Sequence, residues 1–280
     1  MANHSTMLAL ASCAIAAAYS GRTAPGRLKF VDEYLLLRER DALFGGGEGT
    51  PVFCDVGVGD TASTTLELAA ALADCKNAPL VLGLEADGKR ADRARASVAG
   101  YQNVEVRQTD GRFALPLRAG ERCVGARAMN VFRSGYRESD VAPALEALGR
   151  GLASGAPLVE GSCSRAGDAG VAHVLRRGDD DRLEREALLF AIDPARGNGF
   201  APMALRPYLP RDLRWHFKRG HGVYGFFEAW TDAWKSSRRQ GARDTDDAFR
   251  LSARALADDH PVELLAAGLL LWTPAGGVPR

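Results

Sequence analysis

Short apolar runs alternate with amphipathic stretches through the middle of the chain. Val52–Cys54, Leu80–Leu84, Ala126–Phe132 and Pro157–Glu160 are brief and mostly apolar, as buried strands are, and Val104–Gln108 reads as the third strand between them. Thr64–Ala73, Gly88–Ala99 and Glu138–Leu152 lie between or after them and carry apolar residues at helical spacing. This rhythm predicts parallel strands joined by crossover helices. Right-handed crossovers then give an α/β, doubly wound, mostly parallel sheet of Rossmann-like type. Glu186–Ile192 and Leu269–Thr273 are expected to complete the sheet.

The region before the first strand reads differently. Met7–Tyr19 is apolar and Ser5 or Thr6 is placed to cap it, which predicts a helix packing on the domain. Leu28–Leu43 places Leu28, Val31, Leu35 and Leu36 among charges and predicts an amphipathic helix. The glycines of Gly45–Gly49 then break the chain. We therefore expect an N-terminal helical extension over 1–49 and one domain over 50–280. Leu10-Ala11-Ser12-Cys13 has the look of a lipoprotein cleavage box, but no Lys or Arg precedes Cys13, and a signal peptide wants a positive start.

Composition narrows the classes. With 280 residues, 46% apolar and 25% charged, the chain can bury a sizeable core. A net charge of +1 excludes a globally basic nucleic-acid binder, though not a local patch. The 5 cysteines cannot all pair within one chain, and none forms a C-x-x-C. A metal site is therefore not expected, and a reduced, cytoplasmic protein is. No apolar stretch reaches the ~20 residues of a membrane-spanning helix.

The chemistry starts at Asp55-Val56-Gly57-Val58-Gly59, between the first strand and the first helix. Glycine suits a tight turn where a ligand approaches bare backbone, and the helix behind it offers free N–H groups. Dinucleotides and S-adenosylmethionine both use such a turn. Gly57, Gly59 and Ala62 satisfy G-x-G-x-x-G/A. Asp55 helps to separate the two ligands. In dinucleotide folds that position is usually apolar, whereas a carboxylate suits an ammonium-bearing ligand or a polar network around it.

From Val52 to Gly161 the sequence resembles the class I S-adenosylmethionine-dependent methyltransferases. Asp55 to Gly59 looks like that family's first motif, although Asp60-Thr61 lacks its third glycine. Leu82 to Asp87 is similar to the second, and the resemblance gives Glu85, with Ala86 beside it, to the ribose hydroxyls. Asp87 competes with Glu85 for that role. Thr109-Asp110-Gly111 resembles the third, which would place Asp110 and Gly111 at the adenine. Leu152 to Val159 looks like the element that leads into strand five.

Methyl transfer from a sulfonium needs alignment above all, and a base only when the acceptor arrives protonated. The chain contains no G-x-S-x-G, H-E-x-x-H or P-loop motif. In an open α/β sheet ligands sit beyond the carboxyl ends of the strands. Asn130, Arg133 and Tyr136, at the end of strand four, are thus the candidate catalytic residues, with Asn130 also facing the donor. The run is neither the N-P-P-Y of amino-methylating DNA enzymes nor the Pro-Cys of cytosine C5 enzymes. Residues 206–239 combine basic residues, among them Arg211, Arg214 and Lys218, with aromatics from Tyr208 to Trp234. These aromatics recur at helical spacing and suit core packing, a substrate lid at about 200–260, or stacking on RNA. His216 and His221 flank Gly220 and are weaker candidates for a base.

The expected function is S-adenosylmethionine-dependent methyl transfer to a small molecule or RNA, with no membrane partner and a homodimer left open. Two alternatives stand beside it. One is a nicotinamide-dependent oxidoreductase, though no Tyr-x-x-x-Lys follows strand four. The other is a methyltransferase-like fold kept for binding alone.

Overall fold

In the computed structural model, which describes residues 24–133, 136–180, 182–195 and 200–279, the alternating segments become strands and helices. The strands are β1 (Thr50–Val56), β2 (Leu80–Glu85), β3 (Val104–Gln108), β4 (Glu121–Met129), β5 (Pro157–Cys163), β6 (Ala169–Arg177), β7 (Leu183–Ile192), β8 (Val262–Ala266) and β9 (Leu269–Trp272). Helices Ser63–Ala73, Gly88–Ser97 and Glu138–Arg150 follow β1, β2 and β4.

Among the described residues one nine-stranded sheet runs in the order β3-β2-β1-β4-β5-β6-β7-β9-β8. β1 to β5 pair in parallel. The chain steps outward from β1 to β3, then returns to β4 on the other side of β1. That reversal is a topological switch point, and it opens a crevice at the carboxyl ends of β1 and β4. The fold is a Rossmann-like, doubly wound α/β sheet.

The outer half departs from the expected pattern. β6 to β9 pair antiparallel. β6 and β8 were not legible as strands. β6 is covered on both faces along its middle, so the polar alternation that marks a half-exposed strand is missing, and Gly170 and His173 interrupt its apolar run. β4 starts five residues before its expected Ala126, at Glu121. The polar start at Glu121 is held by Arg107 of β3 at 2.6 Å. It ends early because Asn130 turns the chain left-handed at φ +61°.

Layers cover both faces. Val31 and Leu35 of helix Lys29–Arg38 and Leu68 and Leu72 of Ser63–Ala73 pack with Phe53, Val81 and Val124. Val141, Leu145 and Leu148 of Glu138–Arg150 pack on Val52, Leu82 and Leu158 from the opposite side. The expected helix over Leu28–Leu43 is two, Lys29–Arg38 and Arg40–Phe44, broken at Glu39. The Glu39 carboxylate accepts from Tyr34 Oη at 2.5 Å and from Arg176 at 2.9 Å, which ties the break to β6. The helix expected over Met7–Tyr19 lies outside the described residues.

Candidate cofactor and acceptor site

β1 ends at Val56, and the chain turns at once. Gly57 and Gly59 take left-handed backbone at φ +82° and +72°, where a side chain would strain the turn. A Cβ on Gly57 would also stand 3.1 Å from Val131 Cγ2, so the exit of β4 lies against the turn. Ala62 closes the turn at φ +46°, directly before helix Ser63–Ala73. Asp60, which stands where the third glycine is lost, reaches Arg93 at 2.8 Å with its side chain 43% exposed.

Glu85 ends β2 and is buried. Its Oε2 accepts the Gly59 N–H at 2.9 Å, and its Oε1 accepts the Asp87 N–H at 3.1 Å. A carboxylate offers about four acceptor sites, so capacity remains for two further donors. Asp87 has a different task. It caps helix Gly88–Ser97, accepting the Arg90 N–H at 2.9 Å. Ala86 between them is exposed. The Thr109 N–H donates to the Glu85 carbonyl at 2.9 Å, which brings the end of β3 beside the end of β2. Beyond it, exposed Asp110 accepts the Arg112 N–H at 2.9 Å, and Gly111 turns at φ +74°.

Asp55 sits behind the turn in a buried network. Its oxygens accept from Arg127 Nε and Nη2, both at 2.9 Å, and from Thr65 Oγ1 at 2.7 Å. Arg127 also donates to Asp32 of the N-terminal helix and to the Thr64 carbonyl at 2.7 Å. Asp55 therefore meets a guanidinium of the protein itself, where the sequence favoured a ligand ammonium or a polar network. One guanidinium cannot neutralise two carboxylates. Burial pushes Asp32 up to about 7, against the pull of Arg127 and with a further push from Asp55. A lone Arg inside the apolar run of β4 was the sequence signal for this network, and it pointed to no partner.

The acceptor-side residues have separate roles. Asn130 is buried, accepts the Cys163 N–H at 3.0 Å and donates to Cys163 Sγ at 3.2 Å, so its side chain clasps the end of β5. Arg133 donates to the Cys163 carbonyl at 2.8 Å and lies over the Tyr208 ring at 5.4 Å. Tyr136 packs on Phe132 and Phe113 with ring centres 5.2 and 5.8 Å away. Burial, then Asp140 and Glu85, push its phenol pKa up. At neutral pH Tyr136 is thus a hydrogen-bond donor and not a base. Phe113 holds a left-handed φ of +63°, a strained setting for an aromatic residue, and no motif had singled it out.

The aromatic and basic stretch divides in two. Its first part, from the 3₁₀ helix Pro202–Tyr208 to helix Arg211–His216, comes to the exit of β4. Its second part does not border that exit. Phe226, Phe227 and Trp230 of helix Gly222–Arg239 are buried against Phe190 of β7, and Phe226 stacks on Trp272 of β9 at 4.2 Å. This helix is the core of the antiparallel half, so its aromatics do not form the lid expected at about 200–260. His216 pairs with Glu138 at 2.6 Å, and His221 caps Gly222–Arg239 by accepting the Val223 N–H at 3.3 Å.

The sequence matches no family model and no curated protein. Among solved structures, a SAM-dependent methyltransferase of Methanosarcina mazei aligns over 39% of this chain and 51% of its own, with 16% identity and a TM-score of 0.31. The N-methyltransferase NodS of Bradyrhizobium japonicum aligns over 50% of this chain and 67% of its own, with 16% identity and a TM-score of 0.35. A SAM-dependent methyltransferase of Aquifex aeolicus aligns over 54% and 72%, with 18% identity and a TM-score of 0.35. The chain thus spans about half the length of the Methanosarcina protein. Its own strand order and switch point define the fold. Among the described residues no helix is long and apolar enough to cross a membrane.

Proposed function

We propose that the protein is an S-adenosylmethionine-dependent methyltransferase acting on a small molecule. The observation that carries this is Glu85. A buried carboxylate at the end of β2 holds the Gly59 N–H and keeps acceptor capacity toward the switch-point crevice. Two ribose hydroxyls fit that capacity, and Gly57 and Gly59 let the ligand approach the backbone. Phe113 and Tyr136 offer flat surfaces for the adenine, and Asp110-Gly111 the polar edge beside it.

Bound in this crevice, S-adenosylmethionine supplies an electrophilic methyl group. The chain's own part is placement. Arg133 has no acceptor atom, Tyr136 keeps its proton, and Asn130 is taken up by Cys163, so none of the three removes a proton at neutral pH. The acceptor atom must arrive nucleophilic, and rate comes from alignment. A crystal structure with S-adenosylhomocysteine tests this. Ribose hydroxyls within hydrogen-bond reach of Glu85 support it, and a ligand lodged elsewhere contradicts it.

A further inference from the structure

At the exit of β4 three guanidiniums converge. Arg211 Nη1 and Arg214 Nη2 both donate to the Arg133 carbonyl, at 3.2 and 3.1 Å. Arg133 itself turns to the Cys163 carbonyl at 2.8 Å. All three are half-buried, and among the described residues none has a carboxylate within 4.0 Å. The acids of this region pair elsewhere or lie beyond ion-pair contact with the trio. Asp212 faces His173 at 3.1 Å and Arg185 at 2.7 Å. Glu138 takes His216. Glu160, buried in β5, has its carboxyl pushed up by burial and by Asp212 against the downward pull of Arg185 and Arg214, and it lies beyond ion-pair contact with the three arginines. Arg214 shows the consequence: burial, then the charges of Arg211 and Arg133, pull its pKa down against an upward pull from Glu160. Arg211 Nε, buried in the same place, has no hydrogen-bond partner.

Three guanidiniums gathered without a carboxylate in ion-pair contact cost free energy unless an anion joins them. Guanidinium forks match carboxylate and phosphate oxygens. Two residues before Arg133, Val131 lies against the glycine turn, so the carbonyl that Arg211 and Arg214 grip belongs to the same strand exit as the donor site of the methyltransferase reading. We infer that Arg133, Arg211 and Arg214 bind a small oxyanion, carboxylate or phosphate, carried by the methyl acceptor. The assignment to the acceptor rests on the methyltransferase reading; the anion site itself does not. RNA is the weaker occupant. Arg211 and Arg214 converge on one carbonyl from half-buried positions, which makes a point site, whereas a nucleic-acid backbone wants an extended basic track.

Calorimetry of the full chain at low salt tests this, with inorganic phosphate and malonate as separate arms and S-adenosylhomocysteine titrated alongside. We expect one of the two anions to bind, which also tells phosphate from carboxylate. Arg211→Gln/Arg214→Gln should weaken that binding at least about tenfold, as loss of a charge-assisted bond does, and leave S-adenosylhomocysteine binding in place. Should that variant fail to fold, the single Arg211→Gln is read instead, with Arg211→Lys expected to recover part of the binding. Neither anion binding to a wild-type chain that binds S-adenosylhomocysteine overturns the inference, as does affinity unmoved by Arg211→Gln. Anion binding that depends on these arginines, without S-adenosylhomocysteine binding, upholds the site and sinks the methyltransferase reading. A single-stranded RNA that outcompetes phosphate at the same arginines overturns the small-molecule assignment.

Discussion

Glu85 and Asp87 lie two positions apart at the end of β2, and their hydrogen bonds separate their tasks. Asp87 caps a helix, while Glu85 faces the glycine turn. Glu85→Ala should therefore weaken S-adenosylhomocysteine binding at least about tenfold, since bonds to a charged group are worth roughly 1.5–3 kcal/mol each. Unchanged affinity in calorimetry, with the melting temperature retained, would mean another residue holds the ribose. Asp32 yields a pH prediction. Its folded pKa is about 7 against an ordinary 3.8. Between those values the folded chain holds a proton that the unfolded chain has released, so this group's stabilisation is fully present below about 3.8 and lost as pH rises through about 7. Asp32→Asn should flatten that decline in urea midpoints measured across the range. Equal slopes for variant and wild type would show that Asp32 does not titrate there. The sequence made Glu85 legible because an acid ends an apolar run after a glycine turn. It did not make the Asp32–Arg127–Asp55 network legible, because its members lie far apart in sequence and charge alone names no partner.

At the scale of elements, the parallel half was readable and the antiparallel half was not. β1 and β2 are short apolar runs between turn residues, β3 carries Val104 and Val106 at alternate positions, and the crossover helices carry clear periodicity. β6 lies between two neighbours, so burial on both faces erased the alternation that would have marked it. The helix Gly222–Arg239 was readable as amphipathic, yet its partners were not, since β7 and β9 come from distant stretches of chain. Trp230 is fully buried there and donates from Nε1 to Ser252 Oγ at 3.1 Å. Trp230→Ala should cost about 3–5 kcal/mol in urea unfolding, the usual loss for a large buried aromatic. A change near zero would mean that this helix is not part of the core. Cofactor affinity should stay unchanged in the folded variant, because the helix packs on β7 and β9 and not at the switch point.

The whole molecule is a doubly wound sheet with its crevice where β1 and β4 part. The N-terminal helix braces the glycine turn from behind, through Asp32, Arg127 and Thr64, and Arg211 and Arg214 hold the Arg133 carbonyl at the exit of β4. We take S-adenosylmethionine over a dinucleotide as the ribose-bearing ligand that the glycine turn and Glu85 suit. Side-by-side calorimetry with S-adenosylhomocysteine and NAD tests that directly. The account predicts micromolar binding of S-adenosylhomocysteine, about −8 kcal/mol, and no heat from NAD. Binding of NAD without S-adenosylhomocysteine would contradict it.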